Sequence, residues 1–145
     1  PPTQISHSII RFNAFGIAVT QGGNTAITHN DISYNSEGLW FADPDSSSLA
    51  QNNIISENTG DGIYRVPIAI YFPILSYNDV WMNGTNYNNL SPGTGDISLD
   101  PRFVDPTNGY YHLQATSPCI DAGDPSAPND PDGTRADMGA FYYHH

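Results

Sequence analysis

The chain has 145 residues and a formal net charge of −11 at neutral pH, with four arginines, no lysine and one cysteine. This balance excludes nucleic acid and anionic membrane surfaces as partners, because both require clustered basic side chains. No apolar run is long enough to cross a bilayer, so no membrane insertion is predicted, and the lone Cys119 forms no intramolecular disulfide.

A short segment that closes on an asparagine recurs four times along the first part of the chain. The closing residues follow one another at intervals of 22, 23 and 25 residues: Asn13, Asn35, Asn58 and Asn83. An aliphatic residue precedes each of them by three places: Ile10, Ile32, Ile55 and Val80. A steady period in the twenties is typical of stacked solenoid coils, in which each coil buries its apolar side chains against the next.

Two further strands per coil complete the repeat. A glycine followed by an aliphatic residue comes after each of the first three asparagines, at residues 16–17, 38–39 and 62–63. Residues 24–28 and 48–51 have the pattern of a third strand. We expect the closing asparagines to adopt left-handed backbone angles and to bond from coil to coil as a ladder. An antiparallel sandwich of Asn-Gly hairpins is the alternative, but hairpins would not keep so steady an interval.

The predicted fold class is therefore all-β, a right-handed parallel β-helix of about four coils with a C-terminal cap. Residues 1–90 are assigned to the coils, and residues 84–95 are expected to form a long surface loop. Residues 91–145 are assigned to the final coil and the capping segment of the same domain. Because the chain begins abruptly on a strand-like segment, we expect it to be part of a longer parent. Its open first coil, near Ile9, is then expected to meet upstream residues, a second copy or another subunit.

The region after residue 95 resembles the C-terminal part of a known family. It contains Asp-Pro-Arg-Phe-Val-Asp at 100–105, His-Leu at 112–113, Ser-Pro-Cys-Ile-Asp-Ala-Gly at 117–123 and Asp-Met-Gly-Ala at 137–140. These blocks are similar to the ends of secreted bacterial right-handed parallel β-helix proteins of the pectate-lyase-like superfamily, with Arg102 inserted in the first. The resemblance implies a secreted or cell-surface β-helix. It does not imply one activity, because the superfamily includes lyases, hydrolases, binding modules and structural proteins.

The candidate catalytic residues are few. A uronate lyase of this fold would need a Lys or Arg base, and only Arg11 and Arg65 lie in the repeats, where solvated positions on the wall are expected for both. A glycoside hydrolase would need two carboxylates at a defined separation. Glu37 and Asp61 precede the glycine on neighbouring coils and are expected about 5 Å apart, at the coil spacing.

A second carboxylate column is expected further round the coil. Asp31 and Asp79 share an outward position and are separated by the coil that carries Ile54, which gives roughly 9–10 Å between them. Aspartate and glutamate are common at turns, so capping roles are the alternative for all four acidic residues.

The aromatic side chains Trp40 and Tyr64 follow the core positions of neighbouring coils, so both should face outward in one column. Exposed stacked rings form a flat platform that suits the faces of sugars, and we name this pair as the candidate carbohydrate-binding site. The alternative is an aromatic ladder that only shields the sheet.

The acidic tail offers oxygen ligands for a hard cation. Asp130, Asp132 and Asp137 are the candidate calcium ligands, although the pattern lacks the closing glutamate of an EF-hand loop. Turn capping by the same aspartates is the alternative.

The function predicted from sequence is a noncatalytic extracellular β-helix module that is structural or contacts carbohydrate. Two alternatives stay open. The first is a fragment of a polysaccharide lyase or glycoside hydrolase. The second is a subunit of an extracellular assembly or filament that stacks through its open coil end. Calcium is the one cofactor considered, and polysaccharide or another copy of the chain are the partners considered.

Overall fold

The computed structural model describes residues 2–20, 24–45 and 47–145 and consists almost entirely of short strands. Each of four coils contributes three strands, and consecutive coils stack in parallel. The strands of the coils are β1 (Thr3–Ser6), β2 (Ile9–Arg11), β3 (Phe15–Val19), β4 (Thr25–Thr28), β5 (Asp31–Ser33), β6 (Glu37–Phe41), β7 (Leu49–Gln51), β8 (Ile54–Ser56), β9 (Asp61–Arg65), β10 (Ile74–Ser76), β11 (Asp79–Trp81) and β12 (Thr85–Asn88). This architecture confirms the predicted parallel β-solenoid.

Three parallel sheets run the length of the stack. The first contains β1, β4, β7 and β10, the second β2, β5, β8 and β11, and the third β3, β6, β9 and β12. No helix in the described part of the chain is both long and apolar enough to span a bilayer.

The apolar core consists of vertical columns inside the three sheets. In the second sheet, the register aligns Ile10, Ile32, Ile55 and Val80, as predicted. In the third sheet, Ile17, Leu39 and Ile63 are aligned as predicted, and Tyr87 continues their column. The prediction of a loop from residue 84 was wrong for residues 85–88, because Tyr87 of β12 reaches the core column despite its polar neighbours.

The asparagine that closes each repeat forms a ladder through the coils. Asn58 Oδ1 accepts hydrogen bonds from the backbone N–H and from Nδ2 of Asn35, at 2.9 and 3.1 Å. Asn58 Nδ2 donates to the carbonyl of Ile32 at 3.1 Å and to Asn83 Oδ1 at 2.8 Å. Both hydrogens and both lone-pair positions of this buried amide are therefore used.

A second ladder, which the sequence reasoning missed, lies at the preceding corner. Asn30, Asn53 and Asn78 bond in the same manner, at 3.0 Å between consecutive side chains. The last amide, Asn78, donates to Asp96 Oδ1 at 3.1 Å. The other oxygen of Asp96 accepts from the Tyr87 hydroxyl and the Gly93 amide. Because a carboxylate only accepts, Asp96 ends a ladder whose amides all donate towards it.

The left-handed residues at these corners differ from the prediction. They are not the ladder asparagines but the residues immediately before them, with φ between 52° and 60°: Phe12, Tyr34, Glu57 and Met82 at one corner, and His29, Asn52 and Tyr77 at the other. The preceding residue makes the bend because the asparagine itself must aim its amide along the stack.

The chain after the fourth coil covers the side of the solenoid. Thr94 and Ile97 add isolated bridges to Ser76 and Asp79, which start a partial fifth coil. Residues 99–143, here called the C-terminal cover, then pack on the outer face of the second sheet. They contain an antiparallel hairpin of β13 (Phe103–Asp105) and β14 (Tyr110–Leu113), joined by a 3-10 turn at Pro106–Asn108.

The cover buries a second apolar cluster against the second sheet. Ile54 of the sheet packs there with five cover residues: Phe103, Tyr111, Leu113, Cys119 and Met138. Polar contacts also join the two layers, since the hydroxyls of Ser33 and Tyr111 lie 2.6 Å apart. The division of the chain at residue 90 into coils and cap stays a prediction.

We predict that Ile32→Ala lowers the free energy of unfolding by about 2–5 kcal/mol, because Ile32 is fully buried and its loss leaves a cavity in the core column. Denaturant unfolding followed by circular dichroism measures this difference. The matched control is Ile68→Ala, since the Ile68 side chain is 85% exposed and the same truncation should cost little. Equal losses for the two variants would contradict the observed coil register.

Candidate functional site

The most prominent surface feature of the third sheet is a pair of aromatic rings on neighbouring coils. Trp40 and Tyr64 are register partners, and their ring centroids lie 4.3 Å apart at an interplanar angle of 45°. Both side chains are half-buried. Phe15 meets the Trp40 ring edge-on at 5.2 Å. The structure thus brings together the two predicted residues and adds a third ring. We call these three residues the aromatic step.

The parallel register explains why the step forms. In the third sheet, one outward column contains Ala18, Trp40, Tyr64 and Asn88. Ala18, the register partner of Trp40 on the first coil, has a small side chain, and Phe15 of the same strand contacts the Trp40 ring. Phe15 was missed at the sequence level because it lies at the start of its strand, outside the repeating position.

The carboxylates of Glu37 and Asp61 lie on neighbouring coils at the start of β6 and β9, but each binds a different group. Glu37 Oε2 accepts a hydrogen bond from the backbone N–H of Asp61 at 2.7 Å. Asp61 Oδ2 accepts from Asn88 Nδ2 at 2.8 Å. Each carboxylate therefore supports the coil next to its own. Their proposed catalytic role stays a hypothesis.

Arg65 is a structural residue rather than a solvated one, which corrects the expectation from sequence. Its side chain is buried, and Nη1 donates to the carbonyls of Ala69 at 2.6 Å and Val66 at 3.3 Å. The guanidinium also lies 3.8 Å from the ring centroid of Phe72. Arg65 thus holds the segment 66–73, which leaves the coil between β9 and β10.

Arg11 is likewise bound rather than solvated. Its Nη1 donates to the carbonyl of Pro106 at 3.1 Å, and its guanidinium lies over the rings of Phe12 and Tyr111. The sequence reasoning could not foresee this contact, because it depends on where the C-terminal cover docks.

The second carboxylate pair, Asp31 and Asp79, occupies the predicted column with Ile54 between them. This outward column is not open to solvent, because the C-terminal cover buries both side chains. Neither oxygen of Asp31 has a hydrogen-bond partner in the described chain, although the Ala140 amide approaches it. Burial raises the pKa of Asp31 well above its usual range.

Asp79, unlike Asp31, has hydrogen-bond partners within the protein, but its pKa is still shifted. Its oxygens accept from the Leu99 amide at 3.0 Å and from the thiol of Cys119 at 3.2 Å. Burial raises the pKa of Asp79 to about 7, partly opposed by those two hydrogen bonds. Burial and the neighbouring Asp79 carboxyl also raise the pKa of the Cys119 thiol. Such a covered site has no access for a polymer, so this pair is not a surface cleft.

The tail aspartates named as calcium ligands bind backbone amides. Asp137 accepts from the amides of Asp121 and Tyr143, both at 2.6 Å. Asp130 accepts from the Asp137 amide at 2.9 Å, and Asp132 accepts from the amide and hydroxyl of Thr134. Among the described residues, no three acidic, histidine or cysteine side chains are grouped for a metal ion. Calcium binding here stays a prediction.

The comparison with known families agrees with the architecture. The family described as a right handed beta helix region matches residues 3–85, more than half of the chain. The chain therefore belongs to the right-handed β-helix family. No curated protein and no solved structure matches it.

We predict that Asp79→Asn stabilises the protein at neutral pH. Because the pKa of Asp79 is raised to about 7, its protonated carboxyl stabilises the folded wild type fully below pH 4. This stabilisation is lost as the pH rises towards 7. Asparagine keeps the shape of the protonated acid without ionising, so the variant should gain roughly 2–4 kcal/mol over the wild type across that range. Denaturant unfolding from pH 4 to 8 measures the two curves. If the free energies of unfolding of the two proteins vary with pH in parallel, the raised pKa of Asp79 is contradicted. The control is Asp43→Asn, the same change at an exposed carboxylate.

Proposed function

We propose that this right-handed β-helix protein is a noncatalytic extracellular module that contacts carbohydrate through the aromatic step. The observation that carries the proposal is the pairing of Trp40 and Tyr64 at 4.3 Å on adjacent coils, with both rings partly open to solvent. Tilted rings fixed to a rigid sheet offer apolar faces to the C–H groups of a sugar at little entropic cost.

Electrostatics favours a neutral glycan at this surface. The chain has a net charge of −11, and the carboxylates of Glu37 and Asp61 are on the same two strands as Trp40 and Tyr64. A polyuronate would be repelled unless a cation intervened. Hydroxyl groups of a neutral sugar can instead donate to carboxylates and accept from the Asn88 amide.

The noncatalytic assignment is supported by the way the candidate catalytic groups are used. Arg65 is buried and bound to carbonyls, so it cannot act as a base without releasing the segment 66–73. The Glu37 carboxylate is bound to the Asp61 amide. A lyase or hydrolase fragment remains the rival hypothesis, and the experiment below distinguishes it. Secretion and membership of the pectate-lyase-like superfamily are proposed from the resemblance of residues 95–140.

A second candidate function is assembly through the first coil. Strands β1, β2 and β3 lie at one edge of their sheets and, among residues 2–20, 24–45 and 47–145, pair only with the second coil. Asn13 donates to Asn35, but its own Oδ1 accepts no hydrogen bond from the described residues. We propose that a further parallel coil, from this chain, a second copy or another subunit, pairs there, because the opposite end of this ladder is already closed by Asn86, whose Oδ1 accepts from Asn83 Nδ2 at 3.1 Å.

The carbohydrate proposal predicts that the protein is retarded in affinity electrophoresis by at least one neutral polysaccharide, without release of new reducing ends from it, which a hydrolase would produce. Trp40→Ala and Tyr64→Ala should each weaken binding about tenfold or more, because each removes a stacking ring, and a tenfold loss corresponds to about 1.4 kcal/mol. The control is Tyr110→Ala, at an exposed ring on β14 in the C-terminal cover.

Two results would overturn the proposal. The first is the absence of retardation by glucans, xylans, mannans and galactans alike. The second is release of unsaturated, ultraviolet-absorbing fragments from polygalacturonate, with loss of that activity in Arg65→Ala, which would establish the lyase alternative.

A further inference from the structure

A separate polar cleft lies between the second sheet and the C-terminal cover, on a different sheet from the aromatic step. It has a volume of about 460 Å³, within the usual range of small-molecule sites. Its principal lining residues are Glu57, Trp81, Asp100, Arg102, Gln114 and Thr116. We call it the Trp81 cleft.

Three parts of the fold build this cleft. Trp81 ends β11 and is the register partner of Ser56, which places its ring at the border of the surface that the cover buries. Glu57 follows Ser56 in a left-handed bend with φ 56°. The cover supplies the opposite wall through Asp100 and Arg102.

Local hydrogen bonds hold that opposite wall in place. Asp100 Oδ1 accepts from the Arg102 amide at 2.9 Å, and Arg102 Nη1 donates to the Thr116 carbonyl at 3.2 Å. Gln114 Nε2 donates to the Phe103 carbonyl at 2.8 Å. These hydrogen bonds restrain wall side chains that are otherwise exposed, which lowers the entropic cost of binding.

Much of the hydrogen-bonding capacity in the cleft is not used by the protein. The Trp81 indole N–H donates to none of the described residues, and Asp100 Oδ2 accepts from none of them. Within the described part of the chain, the Tyr34 hydroxyl is the group that binds the Glu57 carboxylate. Arg102 has further N–H groups beyond the one bound to Thr116.

The mixture of groups selects a class of ligand. Glu57 and Asp100 only accept hydrogen bonds, whereas Arg102 only donates, so a hydroxyl, which does both, satisfies either kind. An anionic ligand would face two carboxylates in a strongly acidic protein. A cationic group such as an ammonium would be attracted by those carboxylates, but it only donates and would leave the free N–H groups of Arg102 without an acceptor. The flat indole adds an apolar face.

From this chemistry we infer that the Trp81 cleft binds a neutral saccharide unit through vicinal hydroxyls, with its apolar face on the Trp81 ring. This site is distinct from the aromatic step and does not depend on it. It would give the module two points of contact on two sheets, so that one glycan chain or two could be engaged together.

The two tryptophans of the chain allow the sites to be tested separately. In Trp40→Phe the only indole is Trp81, and in Trp81→Phe the only indole is Trp40. Both proteins are titrated with neutral oligosaccharides of gluco, xylo, manno and galacto configuration while tryptophan emission is recorded. The expected result is a saturable change of Trp81 emission in Trp40→Phe with at least one of these sugars.

Matched substitutions in the Trp40→Phe background identify the cleft as the site. Asp100→Asn should weaken the response about tenfold, because it replaces a charged acceptor, whereas Asp43→Asn, the same change at an exposed distant carboxylate, should leave it unchanged. Thr116→Val removes a lining hydroxyl with little change of shape and should also weaken it. Thermal melts verify that each variant is folded.

Three outcomes overturn the inference. One is a flat Trp81 signal with every sugar in the folded Trp40→Phe protein. Another is an equal effect of Asp100→Asn and Asp43→Asn. The third is saturation by a lysine- or arginine-containing peptide but by no sugar. A response of Trp40 in Trp81→Phe with silence at Trp81 would reject the cleft alone, and the reverse pattern would reject the aromatic step alone.

Discussion

The hydrogen bond between side-chain amides of successive asparagines is the interaction on which the rest of this structure depends. The ladder amides of the inner coils are buried, and Asn58 among them has a partner for every donor and acceptor. A slip of one coil by a single residue would leave several buried polar groups unpaired at once, and each such group costs roughly 1–3 kcal/mol. The ladders therefore fix the register, and the register aligns the apolar columns.

The same register decides what the outer surface can do. Residues one coil apart become neighbours, so Trp40 and Tyr64 meet as a pair of rings although 23 residues separate them in the chain. The rule also aligns Asp31, Ile54 and Asp79 beneath the C-terminal cover. The column of Trp40 and Tyr64 is partly open to solvent, whereas the column of Asp31 and Asp79 is buried. This difference depends on where the C-terminal cover packs and not on the repeat.

The periodic part of the fold could be predicted from sequence because its signal repeats. The positions of Ile32, Ile55 and Leu39 follow from the asparagine spacing, and the structure confirms them. Tyr87 was missed because its strand is rich in asparagine and threonine, so that composition indicated a loop. The second ladder was visible as Asn30, Asn53 and Asn78 at the start of each repeat, but turn asparagines are common enough to conceal it.

The non-periodic part could be predicted much less well. Nothing in the sequence states that residues 99–143 pack on the second sheet, so the burial of Asp79, the contact of Arg11 with Pro106 and the Trp81 cleft were all beyond reach. Long-range contacts between a repeat and a non-repeating segment depend on three-dimensional complementarity, for which a single sequence carries no periodic signal. The Trp81 cleft is hard to predict from sequence for this reason, since it forms at the junction between the repeat and the C-terminal cover.

Amide hydrogen exchange of the native protein tests the central role of the ladders most directly. The backbone N–H groups of Asn35 and Asn58 bind side-chain oxygens of the next coil rather than carbonyls of a sheet. If the ladders fix the register, these amides exchange only through global unfolding, with the same protection as the core amides of Ile32 and Ile55. Rapid exchange at Asn35 and Asn58, as in an ordinary surface turn, while the core amides stay protected, would contradict this account.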